Sequence, residues 1–116
     1  MNDKKRYAVE DFSRISPVPC PCGMSRRAFV ESSGGAATFH LVEIKKDAAL
    51  HYHKNHFEIY YILEGEGFME LDGDKVPVKP GNTVYIPAGC RHRALGQIKI
   101  ANVSVPSFDP EDEYFD

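Results

Sequence analysis

The sequence has no apolar run as long as a membrane span, and its charged start, through Arg6, is not followed by the apolar core of a signal peptide. The basic clusters in the sequence are the pair Arg26 and Arg27 and the trio Lys4, Lys5 and Arg6. The formal net charge is −3. These absences argue against membrane insertion and against a nucleic-acid footprint. We therefore expect a cytoplasmic protein that binds neither membrane nor nucleic acid.

Cysteine is also scarce, with three residues in the whole chain: Cys20, Cys22 and Cys90. An odd count without a long-range pattern argues against a disulfide framework and predicts thiols in a reducing compartment. Cys20 and Cys22 flank a proline, so they form either a thiol pair that binds metal or cycles redox, or two thiols in a packed loop. Cys90 is either a small buried filler or a side chain at the rim of a site.

The chain contains no internal repeat and no amphipathic helix of ordinary length, and its 116 residues fit a single domain. Short apolar runs separated by turn residues predict an all-β sandwich or barrel. Asp72 and Gly73, between two alternating runs, are a strong hairpin signal. The predicted strands are residues 26–31, 38–45, 49–53, 58–64, 67–71, 75–78, 83–86, 92–94 and 98–105.

The two ends of the chain differ in composition from this middle part. Prolines in residues 1–25 predict an irregular N-terminal arm, because they lack the N–H that a central strand needs. Residues 26–108 form the predicted β-domain. Residues 109–116 hold five acids and no base, which predicts a solvated tail, although the aromatic side chains near the C-terminus are suited to lying on a partner or on the chain's own sheet. Within the strand from Thr38, both faces carry apolar side chains, so we expect both to be covered.

Histidine and glutamate are concentrated between residues 51 and 58. His51 and His53 are two apart and lie on the same face of an extended strand. Glu58 opens the next apolar run, and a short turn can bring its carboxylate back beside the imidazoles. Two neutral imidazoles and a carboxylate are ligands suited to a divalent transition metal. Further along, a corner containing Pro87 and Gly89 precedes His92, which it can aim at the same site.

These two stretches resemble the paired motifs of the cupin superfamily. The first motif, G(X)5HXH(X)3–4E(X)6G, and the second, G(X)5PXG(X)2H(X)3N, match at eight positions: His51, His53, Glu58, Gly65, Gly81, Pro87, Gly89 and His92. The chain departs from the pattern at Lys45 and Gly96, which occupy turn positions. The resemblance implies a double-stranded β-helix, the jelly roll, with Mn, Fe, Ni, Co or Zn held by His51, His53, Glu58 and His92. It also implies a homodimer.

Three further side chains are candidates for the pocket. His56 is a rival nitrogen to Glu58 and is either an acid–base group at the mouth or a solvated loop residue. His40 lies on an earlier strand, either as a hydrogen-bonded packing residue or facing a substrate. Tyr60 points into the barrel, where its phenol either orients a ligand or acts as an acid, or simply packs in the core. Arg91 and Arg93 point away from the site and are expected to form surface or subunit salt bridges.

Two functions fit this pattern. The first is a metal-dependent enzyme that acts on a small oxygen-rich molecule by isomerisation, lyase chemistry or dioxygenation, since four protein ligands leave coordination positions for substrate. The alternative is a non-catalytic module that binds a metal, a sugar or a small acid. A metal-free structural barrel is disfavoured because the full ligand set is present.

Overall fold

The computed structural model describes residues 6–116, which form two antiparallel β-sheets. One sheet has six strands in the order β1-β2-β3-β9-β4-β7, and the other has three in the order β6-β5-β8. Together they form the predicted all-β jelly-roll barrel. A short 3-10 turn, Phe12–Arg14, precedes the strands, which are β1 Val18–Cys20, β2 Gly23–Ala28, β3 Thr38–Ile44, β4 Phe57–Glu64, β5 Gly67–Leu71, β6 Asp74–Val78, β7 Thr83–Ile86, β8 His92–Leu95 and β9 Ile98–Val105.

Eight of the nine predicted runs are strands, with ends that differ by at most three residues. The run at 49–53 is instead an irregular segment with two isolated bridges, from His51 to His92 and from Tyr52 to Tyr114. Because these bridges reach two different partners, neither extends into a ladder. Across residues 6–116, no helix is long and apolar enough to cross a membrane.

The hydrophobic core lies between the inner faces of the two sheets. Alternate residues of β3 are buried, as are alternate residues of β9. Within one chain the outer face of β3 is not covered, since Phe39 and Glu43 are exposed. Each large apolar side chain buried on the inner face stabilises the barrel by roughly 1.5–3 kcal/mol; the most deeply buried are Val42, Ile44, Ile62, Met69, Ile86 and Ile100.

Residues 18–25, predicted as part of an irregular arm, form a hairpin between β1 and the start of β2. The strand β1 lies at the edge of the sheet, where a proline such as Pro19 is tolerated. The turn brings the Cα atoms of Cys20 and Cys22 to 5.1 Å, and the two residues form a disulfide. The prediction of free thiols is therefore wrong for this pair, and Cys90 is the free cysteine.

The C-terminal segment, residues 109–116, is not the solvated tail that its acids predict. Asp112 is 3% exposed. Its carboxylate accepts hydrogen bonds from the backbone N–H groups of Lys54 and Asn55, at 2.9 Å each. Tyr114 exchanges two backbone hydrogen bonds of 3.0 Å with Tyr52. The segment therefore closes one end of the chain's own barrel, because the exposed amides of the 54–55 turn bind a carboxylate there.

Two turns of the barrel contain glycines with positive φ. Gly65 has φ +86°, and a Cβ there would overlap the carbonyl oxygen of Gln97. Gly96 stands where the motif carries asparagine, and its φ of +108° is one that glycine adopts without strain. This departure from the motif thus preserves the turn.

Candidate metal centre

Four buried side chains converge inside one end of the barrel. His51 lies in the segment before β4, Glu58 near the start of β4 and His92 at the start of β8. With His53, each offers one ligand atom, and these atoms all lie within 4.8 Å of one another. The structure therefore brings together the four residues that the sequence motifs single out.

The three imidazoles are held in one tautomer by the backbone. Nδ1 of His51 is 2.9 Å from the carbonyl oxygen of Ala49, and Nδ1 of His92 is 2.9 Å from that of Cys90. Nδ1 of His53 is 2.6 Å from the carbonyl oxygen of Asp112. A carbonyl only accepts hydrogen bonds, so each Nδ1 carries the proton and donates it. Each Nε2 is left with a lone pair, the form in which histidine binds a metal.

The buried atoms that face one another lack the partners they need. Nε2 of His53 and Nε2 of His92 lie 3.4 and 3.3 Å from Oε1 of Glu58, and none of these three atoms has a hydrogen-bond partner. Lone pairs and a carboxylate oxygen facing one another away from water are costly unless a positive charge lies between them. A divalent cation satisfies all three, so this group could hold a metal.

The ionisation of Glu58 suits a cation. Burial raises its pKa, but its contacts with His53 and His92 outweigh burial and hold the pKa well below the usual range. Burial lowers the pKa of His53, but its contact with Glu58 outweighs this and leaves the pKa raised. Protons and a metal ion compete for Nε2 of His53, so the affinity for the metal is expected to fall as the pH falls.

Asn102 holds the carboxylate in place and was not identified from the sequence. Its Nδ2 donates a hydrogen bond of 2.8 Å to Oε2 of Glu58, which leaves Oε1 facing the imidazoles. Asn102 is a polar residue on the inner face of β9, after the buried apolar residues Ile98 and Ile100. That interruption of an apolar row is the signal that could have identified it.

His56 is not the solvated loop residue that was expected. It is 4% exposed, and its ring centroid lies 4.1 Å from that of His53. Its Nδ1 is 3.3 Å from the Asp112 carboxylate, a partner that sequence reasoning had placed in solvent. With His53 and Asp112 it forms a second group of potential ligand atoms. His56 does not line the cavity beside Glu58, so a role at its mouth is not supported.

His40 and Tyr60 both line the cavity that three of the four ligand candidates line, His51, His53 and Glu58. Nε2 of His40 is 2.8 Å from the Thr38 hydroxyl, so this residue is both a packed side chain and part of the cavity wall. Burial raises the pKa of Tyr60 well above its usual value, which keeps its phenol protonated. Tyr60 can thus donate a hydrogen bond, although the raised pKa makes it a weaker acid than a phenol in water.

The cavity itself is small. The centre of a water molecule can reach about 20 Å³ of it, which is room for about one water. Its walls include Cys20, Pro21 and Cys22 of the disulfide hairpin and Glu113 of the C-terminal segment. A ligand larger than a few atoms therefore needs one of these walls to move.

The remaining candidates lie outside the cavity. Arg93 forms a salt bridge of 2.9 Å with Glu70, and the Arg91 guanidinium lies 3.6 Å over the Tyr52 ring. Cys90 is partly buried against the hydrophobic core, which agrees with a small filler. None of these three residues lines the metal cavity.

His40 gives a prediction for acid stability. Burial lowers its pKa from 6.5 to about 4, with Glu58 raising it and Arg27 and His56 lowering it further. The unfolded chain therefore takes up this proton first, so the stability that neutral His40 contributes is complete above about pH 6.5 and is lost as the pH falls towards 4. Between pH 7 and 4.5 the loss is about 2 kcal/mol.

Urea unfolding of the metal-free protein at pH 7 and 4.5, in the wild type and in His40→Gln, measures this contribution. We expect the variant to be less stable at both pH values but to lose less stability on acidification. An equal loss in both proteins would contradict the burial of a neutral His40.

Comparison with known proteins agrees with this architecture. The chain is 42% identical over 76 residues to an uncharacterized protein of Methanocaldococcus jannaschii, covering 62% of this chain and 61% of that one. It is 36% identical over 87 residues to an L-ectoine synthase of Halomonas elongata, covering 71% of this chain and 64% of that one. The chain thus spans less than two thirds of either relative.

A solved structure matches more completely. The crystal structure of a protein from Planctomyces limnophilus is 37% identical, with a TM-score of 0.86, and the match covers 94% of this chain and 96% of that one. Residues 39–96, half of the sequence, match the family model described as the cupin domain. The ligand motifs lie within this range, and the chain belongs to the cupin family.

Proposed function

We propose that this protein is a metal-dependent enzyme that acts on a small oxygen-rich molecule by isomerisation, lyase chemistry or dioxygenation. The observation that carries the proposal is the convergence of three Nε2 lone pairs and one ionised carboxylate on a buried point beside a cavity. The ligands would be His51, His53, Glu58 and His92, and the ion Mn, Fe, Ni, Co or Zn.

The side chains around this point have separate tasks. A divalent ion held there supplies Lewis-acid chemistry towards a substrate oxygen. Glu58 contributes the negative charge that balances the ion, and Asn102 fixes the carboxylate so that one oxygen faces the imidazoles. Tyr60 offers a protonated phenol to a substrate oxygen. The disulfide hairpin and the C-terminal segment exclude bulk water, which strengthens these electrostatic interactions.

The similarity to an L-ectoine synthase supports a catalytic function over a purely structural one. At 36% identity over 64% of that enzyme, it does not carry the substrate across. A cytoplasmic location also remains a prediction from the sequence.

Tyr60→Phe tests the proposed acid. The substitution removes one hydroxyl and keeps the ring that packs in the core. With a panel of small hydroxy acids, oxo acids and sugars, we expect turnover by the metal-loaded wild type and a loss of about 10²–10⁴-fold in kcat in the variant, at unchanged metal content. Undiminished turnover in Tyr60→Phe would rule out an acid role for Tyr60.

The alternative is a non-catalytic binder, and the small cavity favours it. A space for about one water suits a bound ion with a small ligand better than a reacting substrate. A panel member that stabilises the metal-loaded protein against heat without being converted would support this alternative.

We also propose that the protein is a homodimer. On the outer face of the six-stranded sheet, paired residues form a row across β3, β9, β4 and β7, and their side chains are apolar or aromatic: Phe39, Val103, Ile59 and Tyr85. A neighbouring row adds Leu41, Ala101 and Tyr61. An exposed apolar face of this kind marks an interaction surface.

Light scattering coupled to size-exclusion chromatography is expected to give the mass of two chains. Ile59→Glu, at the centre of the first row, should shift the protein towards the mass of one chain, whereas Val76→Glu, an exposed position on the other sheet, should not. A wild-type monomer would end the dimer proposal.

A further inference from the structure

Arg27 is a charged residue in the wall of the metal cavity. It pairs with His40 on β3, His40 pairs with Asn102 on β9, and Asn102 pairs with Tyr60 on β4. Directly opposed residues in a sheet point to the same face. The other three members of this row are buried inside the barrel. Arg27 therefore points inwards as well, and it lines the cavity together with them.

The guanidinium of Arg27 lacks an acceptor. Its Nε is buried without a hydrogen-bond partner. The salt bridges of arginine and lysine in the described part of the chain are made by Arg91, Arg93 and Lys99, and Arg27 makes none. Its Cζ lies 4.5 Å from the centroid of the Phe108 ring, which is no acceptor for the N–H groups in the guanidinium plane. Partial burial of a guanidinium whose N–H groups have no acceptor costs free energy, unless an anion accepts their hydrogen bonds.

Glu113 is the nearby carboxylate, but it does not form a salt bridge with Arg27. It lines the same cavity from the C-terminal segment. Burial lowers the pKa of Arg27 and the charge of Glu113 raises it, yet the two side chains are not within salt-bridge distance. The cavity thus has a cation-binding end, beside His51, His53 and Glu58, and an anion-binding donor at Arg27.

We infer that the ligand of this site is a small carboxylic acid, whose carboxylate is bound by the fork of Arg27 while another oxygen reaches the metal end. A planar carboxylate matches the guanidinium in a two-bond arrangement. An uncharged sugar brings no negative charge to balance the guanidinium. This inference deepens the proposed function. It rests on that function only for the contact between the ligand and the metal, and not for the contact with Arg27.

Calorimetric titration of the full chain loaded with Mn²⁺ tests the inference, with glycolate and oxalate as probes and ethylene glycol as the uncharged match. We expect the acids to bind at least tenfold more tightly than the diol. Arg27→Gln should weaken acid binding by about 10–100-fold with unchanged Mn²⁺ content. Arg27→Lys should restore only part of the affinity, because an ammonium keeps the charge but not the fork.

Arg14→Gln is the matched control, since it removes the same charge from an exposed position and should leave acid binding unchanged. Equal acid binding by Arg27→Gln and the wild type, with folding of the variant verified by its thermal unfolding, would overturn the inference. So would equal binding of the acids and the diol.

The two proposals fail separately. A chain that holds none of Mn, Fe, Ni, Co and Zn but still binds acids through Arg27 would refute the proposed metal function and leave the Arg27 site standing. A chain that holds Mn²⁺ but binds acids equally well without Arg27 would refute only the acid inference.

Discussion

Asp112→Ala is expected to lower the free energy of unfolding by about 3–5 kcal/mol. The substitution removes the acceptor for two backbone N–H groups, those of Lys54 and Asn55, and the carboxylate that lies 3.3 Å from Nδ1 of buried His56. Both hydrogen bonds are partly buried and have a charged acceptor, and such a bond contributes about 1.5–3 kcal/mol. Urea unfolding followed by far-ultraviolet circular dichroism measures the loss, and the Tm should fall by at least about 10 °C.

Glu111→Ala is the matched control for this change. Glu111 is an exposed acid of the same segment, and its removal should alter stability by no more than about 0.5 kcal/mol. If the two variants were equally stable, the C-terminal segment would not be held by Asp112, and its acids would be the solvated group that composition predicts.

His92→Ala and His53→Ala are each expected to weaken metal binding by more than about 100-fold, since removal of even an outer partner of a ligand costs 10–100-fold. Each loses one Nε2 from the converging set, and the remaining ligands cannot enclose the ion. Elemental analysis after dialysis against a competing chelator measures the bound metal, and circular dichroism verifies that the barrel persists.

His56→Gln provides the comparison that separates the two groups of ligand atoms. His56 belongs to the group with Asp112 and not to the group with Glu58, so this variant should retain its metal. Full metal occupancy in both His92→Ala and His53→Ala would contradict the assignment, and loss of metal in His56→Gln would move the site to the second group.

The strands and the converging residues were predictable because they depend on short-range patterns. Alternation and turn residues such as Asp72 and Gly73 define strands locally. The spacing of His51, His53 and Glu58 places their side chains through the geometry of a few consecutive residues, and His92 follows from the second motif.

The features that were missed depend on contacts between distant parts of the chain. Asp112 meets Lys54 across 58 residues and Asn102 meets Glu58 across 44. No local pattern indicates that Asp112 will accept hydrogen bonds from two distant backbone amides. The acidic tail was therefore predicted to be solvated, and His56, which contacts Asp112, was also predicted to be solvated. The hairpin at Cys20 and Cys22 was missed because prolines argue against central strands, whereas β1 is an edge strand.

The central claim is that one divalent ion is bound by three imidazoles and one carboxylate at the end of the barrel. A crystal structure of the metal-loaded protein, with an anomalous difference map recorded at the absorption edge of the metal, tests this claim most directly. We predict one strong peak about 2.0–2.2 Å from Nε2 of His51, His53 and His92 and from an oxygen of Glu58. A map without a peak there, or with its peak between His56 and Asp112, would contradict the claim.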